Sequence, residues 1–378
     1  MTQRHRRILG VDTVSQDSDR EEMVEELRAT VRSVCASLGG TAGARRAIDA
    51  GTPGADAKAW HVLSEQVGIA GLGLPEEHAG IGGLPEMMAV SEELGATLLP
   101  VPFFSSTVLA GQVLARCDAS AHPTLEAMAG GETAALAALG NDGLWDPARA
   151  AFNFALGEDG RVSGHASTVL GAPEARWLVA ATPGELVVVD LAGPGCQVVQ
   201  LPTLDLTRSA GAVTLTAAPG TVVSGQPDSV LRPALDMATL VLAAEQIGGA
   251  QACLDMTVAY VEERHQFSRP IGSFQAIKHT LADALVKIEM GRSALARAVV
   301  LSEHTEDLTE SAAVARIWCN EAYRFVSAEA IQLHGGIGFT WEHDAHLYFR
   351  RARADALILG TTSSWRERLA RTLNWTGH

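Results

Sequence analysis

Arg264, His265 and Gln266 close one long helical pattern, and Phe274 and Gln275 lie where the next one opens. Between them runs a short polar turn punctuated by Pro270 and Gly272. A guanidinium and several amides are thus held at the junction of two rigid elements, which keep geometry better than loops do. Two readings of Arg264 stand on this evidence. It complements the negative end of the helix dipole, or it is a bidentate anchor for a diphosphate. A second feature is HGGIGFT, residues 334–340. It is not the P-loop pattern, and no strand precedes it. By itself it is a helix C-cap and turn, with Gly335 and Gly336 supplying positive φ. Gln332 and His334 beside it, and Arg264, Gln266 and Gln275 elsewhere, add a phosphate-side reading.

The elements that must position these residues fall into three blocks. Residues 1–122 read as an N-terminal helical domain, with Met23, Leu27, Val31 and Val34 at helical spacing on its first helix. GIAGLGLPEEHAGIGGLP, from Gly68, reads as a structured loop, because its glycines and prolines forbid a helix. Residues 123–222 carry short β-branched or alternating runs at roughly ten-residue spacing, the pattern of an antiparallel sandwich or barrel. Within it Thr182-Pro183-Gly184-Glu185 is a turn signal. Residues 223–378 return to long helices, expected over 233–264, 273–303, 309–334 and 342–372 and packing as an antiparallel bundle. The fold class is α+β.

Composition narrows the function. A chain of 378 residues that is 47% hydrophobic and 19% charged has ample core and is too apolar for disorder. A net charge of −15 disfavours a nucleic-acid partner. The five cysteines are scattered without a CxxC pair, so neither a disulfide framework nor a cysteine zinc site is expected, and no metal is assigned. No apolar run reaches membrane-spanning length and the N-terminus lacks the apolar core of a secretory signal, so the expected location is the cytoplasm.

The run from Arg264 to Asp283, the run from Gln332 to Thr340, the loop GLGLPEEHAGIGG followed by EELG, and the helix–strand–helix order together resemble the acyl-CoA dehydrogenase family. The resemblance spans the whole chain, and the two C-terminal motifs at this separation are specific for that fold. It implies a helical N-terminal domain, a β-barrel or sandwich middle domain and a C-terminal four-helix bundle. It also implies FAD and an acyl-CoA substrate. The family takes a proton from the α-carbon and passes a hydride from the β-carbon to the flavin, and its usual acceptor is an electron-transferring flavoprotein. By the resemblance, Arg264, His265 and Gln266 contact the FAD pyrophosphate. Phe274 and Gln275 form the next contacting pair, and Gln332, Gly335 and Gly336 the adenine-side loop. Thr361 and Thr362 match flavin-contacting residues. In the family these distal contacts are made to a flavin whose ring belongs to a neighbouring subunit.

The ring-side pattern departs from the family. The Thr-Glu-Pro…Gly-Ser-Asp run is missing from residues 125–150, and of the Gly-x-Lys-x-Trp run only Gly164 survives in residues 164–171. The two usual positions of the catalytic base are Ala238 and Leu359, and neither takes a proton. Thr239 stands where an arginine is usual, Ser363 where a glutamine is usual and Ser268 where a glycine is usual. Glu245 is the one candidate base, seven residues beyond Ala238 and so on nearly the same face, about 10 Å along the helix. The leading expectation is a subunit of a two-chain enzyme, completing a partner's FAD site in a heterotetramer and acting on a bulky, steroid-type acyl-CoA. A homomeric dehydrogenase using Glu245 and a flavin-free structural subunit are the alternatives.

Overall fold

The computed structural model describes residues 11–51, 54, 56–138, 140, 144, 153–305 and 307–375, with side chains from residue 19 onward. The chain begins with α1 (Val11–Ser37), α2 (Gly40–Asp49) and α3 (Ala57–Val62), the last continuing as a π-wound turn over Leu63–Val67. Asp56 caps α3 by accepting from Ala59 N at 2.9 Å. The face of α1 that packs inward centres on Val31 and Cys35, both 0% exposed, while Met23 is 65% exposed. The loop at 68–83 is ordered by two 3-10 turns and a bridge between Leu72 and Ile81. Next come α4 (Leu84–Thr97) and π-wound Phe103–Gly111, which runs into α5 (Gln112–Leu114). Glu86 closes the N-terminus of α4 by accepting from Gly83 N at 2.7 Å. A further helix, α6 (His122–Ala129), precedes the first strand.

The strands are β1 (Ala134–Ala137), β2 (Phe154–Leu156), β3 (Arg161–Leu170), β4 (Trp177–Thr182), β5 (Glu185–Asp190), β6 (Cys196–Gln200) and β7 (Ala210–Ser224). They form one sheet in the order β1-β4-β5-β7-β3-β2, with β6 on β7. The expected sandwich or barrel takes the form of one sheet that curls about β7. Its first part pairs with β3 and β6 and its last part, from Gly220, with β5, and Ala217 near the end of the first part has φ 48°. The two halves share a core that includes Phe154, Val162, Leu178, Val187 and Val213. All pairs are antiparallel except β1 with β4, which is parallel. The turn at Pro183-Gly184 forms as expected, with Thr182 facing Glu185 and Gly184 at φ 90°.

Helices return with α7 (Pro227–Glu263), α8 (Gln275–Ser302), α9 (Thr309–His334), α10 (Ala345–Asp355) and α11 (Thr362–Thr372). The two-stranded hairpin β8 (His265–Gln266) and β9 (Arg269–Pro270) separates α7 from α8. The single helix expected over 342–372 is broken between α10 and α11, where Leu359 and Gly360 both have positive φ. The helix α7 is the spine. It lies so close to α4 that a Cβ on Gly95 would fall 2.1 Å from Glu245 O, and one on Gly248 would fall 1.9 Å from Glu92 O. Glycine is required at both crossings.

Candidate functional site

The helix α7 ends because Arg264 turns extended, at φ −75° and ψ 119°. The hairpin after it has a two-residue loop, Phe267-Ser268, with both residues left-handed at φ 55° and 64°. That is the type I′ geometry normally built from Asn-Gly. Ile271 N donates to Arg264 O at 2.8 Å, so the chain doubles back onto the helix end. Arg269 lies over the Phe274 ring at 4.1 Å, and Phe267 meets Phe274 edge-on at 6.2 Å. Residues 262–269 are exposed without a break, as is Gln275. Among the described residues no carboxylate pairs with Arg264.

The glycine loop comes to the same place. Tyr260, on the last turn of α7, stacks on His334 at 4.3 Å and donates to His334 O at 3.4 Å. His334 ends α9 and is 3% exposed. Its Nδ1 takes Ala330 O at 2.7 Å, which makes that nitrogen the donor, and Nε2 has no partner. Burial, only partly offset by that bond, pulls its pKa below the ordinary histidine value. Gly335 sits at φ 63°, ψ −139°, a conformation open only to glycine. Gly336 has no such need: its φ is not left-handed, and a Cβ there meets nothing within 4 Å. Gln332, Gly335 and Gly336 are exposed, alongside Ile337 and Phe339. The residues expected at the distal end of a cofactor therefore lie together on one open surface. Thr361 is exposed and caps α11, accepting from Ser364 N at 3.3 Å. Thr362 is engaged internally, accepting from Asn320 Nδ2 at 2.6 Å.

The two usual base positions are closed. Ala238 is 0% exposed and Leu359 3%. Thr239 spends its hydroxyl on Leu235 O at 2.7 Å. Arg316 holds the Leu359 loop by donating to the carbonyls of Asp355, Ile358 and Gly360. Trp365 Nε1 donates to Leu359 O at 2.8 Å. A cavity of about 530 Å³ opens beside Pro233 and Met237, between α7 and the loop at 73–83. Gly164, on β3, has φ 152° and is pressed against Asn153 O, so it is needed by the sheet itself. Much of the stretch 125–150, where the ring-side run is missing, lies outside the described residues.

Glu245 does not sit as a base should. It is 4% exposed, and its carboxylate is engaged by Arg208, from the loop before β7, and Arg351, from α10. Both oxygens accept from Arg208 and one also from Arg351. Arg351 further grips Asp205 and the Thr207 hydroxyl. Arg208 reaches Asp355 at 3.1 Å and lies over the Phe104 ring at 4.9 Å. The expectation that Glu245 takes a substrate proton runs against this geometry: the carboxylate is buried, and arginine N–H groups take three of its roughly four lone-pair sites. Burial lowers the Arg316 pKa to about 10, against the pull of Asp355. Burial likewise raises Asp355 to about 7, against the nearby Arg208. This cluster of Asp205, Arg208, Glu245, Arg316, Arg351 and Asp355 escapes sequence reading. Its one local trace is the spacing of Arg351 and Asp355, four residues apart on the arginine-rich helix α10.

The model of the acyl-CoA dehydrogenase C-terminal domain matches residues 229–374. The chain is 37% identical over 339 residues to acyl-CoA dehydrogenase IpdE2 of Mycolicibacterium smegmatis, covering 89% of this chain and 94% of that one. The chain belongs to the acyl-CoA dehydrogenase family. Among solved structures, a variant of the Tcur3481-Tcur3483 steroid ACAD superposes with a TM-score of 0.83 at 30% identity, covering 94% of this chain and 98% of that one. The ChsE4-ChsE5 complex from Mycobacterium tuberculosis gives 0.81 at 29% identity, over 94% and 98%. An acyl-CoA dehydrogenase is an oxidoreductase, and the family is a flavoprotein family. The Arg264 surface of this acyl-CoA dehydrogenase is thus open, whereas Ala238 and Leu359 are packed aliphatic side chains. Among the described residues no helix is long and apolar enough to cross a membrane.

Proposed function

We propose that this chain is one subunit of a two-chain acyl-CoA dehydrogenase and completes an FAD site whose reactive half belongs to its partner. The observation that carries this reading is the contrast along α7. The exposed hairpin holds Arg264 without a carboxylate partner, and the glycine loop beside it keeps Gly336 where this chain alone has room for a side chain. A glycine with no internal reason is accounted for by something that approaches from outside. Arg264 offers its fork to the two phosphates, Gln266, Gln275 and Gln332 offer amides, and Gly335-Gly336 bare the backbone to close approach. His265, Phe274 and the exposed Thr361 border the same contact. The flavin, when bound, accepts the hydride from the acyl-CoA β-carbon. This chain supplies no base at Ala238, Leu359 or Glu245, so proton abstraction falls to the partner.

Similarity to the Tcur3481-Tcur3483 steroid ACAD and to the ChsE4-ChsE5 complex supports a heterotetramer and a bulky, steroid-type acyl group. An electron-transferring flavoprotein is the proposed acceptor, and the cytoplasm the proposed compartment. The test is flavin per chain, measured by absorbance on the purified chain alone and on its complex with a co-expressed dehydrogenase chain that has an intact flavin-binding middle domain. The lone chain is expected nearly colourless and the complex to carry one FAD for every two chains. One FAD per chain in a stable homo-oligomer, or a colourless complex, overturns the proposal.

A further inference from the structure

A second cluster of chemistry-bearing side chains lies far from the α7 hairpin, where the loop at 73–83 meets α6. His78 ends the 3-10 turn Glu76–His78 and is 6% exposed, yet neither of its ring nitrogens has a hydrogen-bond partner. A buried imidazole in that state is unusual, since buried polar groups are nearly always paired. Its surroundings are ligands. Nε2 lies 3.9 Å from Glu77 Oε1, and Nδ1 lies 3.5 Å from Glu126 Oε1. The His122 ring stands 4.1 Å away, tilted by 51°. One donor atom from each of Glu77, His78 and His122 falls within 4.8 Å of the others.

We propose that Glu77, His78 and His122 bind a divalent transition-metal ion of the zinc class, with Glu126 holding the outer nitrogen of His78. Two imidazoles and one carboxylate are a donor set that zinc accepts, with metal–donor distances of about 2.0–2.2 Å and water in the fourth position. Such a tetrahedron needs its donors roughly 3.3–3.5 Å apart, so a movement on the order of 1 Å assembles it from this geometry. The outer carboxylates, with Glu77 74% and Glu126 65% exposed, are free to make that movement. His78 is the fixed member. Ala79 beside it has φ 58°, and a Cβ on Gly80 would fall 1.9 Å from Leu74 O, so the loop has little room to shift. A carboxylate on the second nitrogen of a metal-bound histidine fixes its tautomer and raises its basicity, which is the place Glu126 occupies.

The ion clips the loop to α6. Gly73, Leu74, Pro75, Gly82 and Gly83 of that loop wall the cavity of about 530 Å³ beside Met237. Occupancy therefore stiffens one wall of that cavity. The probe is Zn²⁺, with Co²⁺ as its spectroscopic substitute, added to the untagged full chain in complex with its partner and followed by dialysis. One zinc per copy of this chain is expected, with the intense visible absorption of tetrahedral Co²⁺. Retained zinc is expected to fall at least ten-fold in both His78→Gln and His122→Gln and to be unchanged in His279→Gln, an exposed histidine elsewhere. Where His78→Gln does not fold, Glu77→Gln, at an exposed position, reads the same site. Absence of stoichiometric zinc, or zinc retained equally by the His122 and Glu77 variants, overturns the proposal.

Discussion

The helix α7 has two stretches that follow opposite rules. Its middle, from Ala238 to Glu245, is sealed: every residue there is buried, and its one carboxylate is held by arginines from two other parts of the chain. Its C-terminal end is open: Arg264 is exposed and, among the described residues, has no carboxylate partner, the hairpin beyond it is strained, and a Cβ on the adjacent Gly336 would meet no described atom within 4 Å. In the family the middle is where a base works and the end is where a cofactor's far half is gripped. By the function proposed above, the middle is architecture in this chain and the end is a binding surface. Residual chemistry in such a chain is recognised by polar groups left without internal partners, more than by the mere presence of an acidic residue.

The largest effect is expected in the sealed stretch. Glu245→Gln leaves Arg208 and Arg351 facing a neutral amide in the interior, and removing one member of a buried ion pair costs about 3–5 kcal/mol. Thermal or denaturant unfolding of the variant is expected to show a loss of that order. Turnover of whatever complex still folds should stay unchanged, because Glu245 takes no proton. A variant that melts like the parent but has lost turnover restores Glu245 as a base and abolishes the contrast between the two stretches.

A smaller effect, of another kind, is expected at the open end. Arg264→Ala removes an exposed side chain with no ion pair to lose, so the melting temperature of the lone chain should not move. Flavin retention by the assembled complex should fall about ten- to hundred-fold, the worth of a charge-assisted hydrogen bond to phosphate. Arg264→Lys should fall between the two, because an ammonium lacks the planar fork. Gel filtration with absorbance detection reads the result, and undiminished flavin in the alanine variant would mean that this hairpin does not grip the cofactor.

The open end was legible in the sequence and the sealed stretch was not, for a physical reason. Arg264, Gln275 and the glycine loop are read from short contiguous runs, and the structure brings those runs together through Tyr260 and His334. The alternation of helical and β-rich blocks was legible in the same way. Glu245 depends on Arg208 and Arg351, whose approach is set by the curl of the sheet and the packing of α10, so no local pattern announces it. Other misses share this origin. The strand β1 is Ala-Ala-Leu-Ala, a helix-favouring composition made extended by pairing with β4. The helix α2 begins at Gly40, directly after Gly39, a residue pair of poor helix propensity. Pro233 reads as a helix start yet sits inside α7, which already begins at Pro227. Glu77, His78 and His122, the metal site proposed above, are split between a loop and a helix, so spacing rules for zinc motifs do not address them.

The smallest effect tests whether the strain at the open end has a purpose. Phe267 and Ser268 both occupy the left-handed region, and Ser268 stands where a glycine is usual. A non-glycine residue in a sparsely populated backbone region costs on the order of 1–3 kcal/mol when it is over-determined by its surroundings. Glycine avoids that cost but loses about 0.5–1 kcal/mol of backbone entropy on folding. Ser268→Gly is therefore expected to stabilise the hairpin by a few tenths to about 1 kcal/mol, seen as slower amide exchange over residues 265–269. Flavin content of the complex should be unchanged, since the anchoring groups stay in place. A hairpin that exchanges more slowly while the complex loses flavin would mean that the serine hydroxyl itself faces the cofactor. The open end would then extend beyond Arg264 and the glycine loop to the tip of the turn.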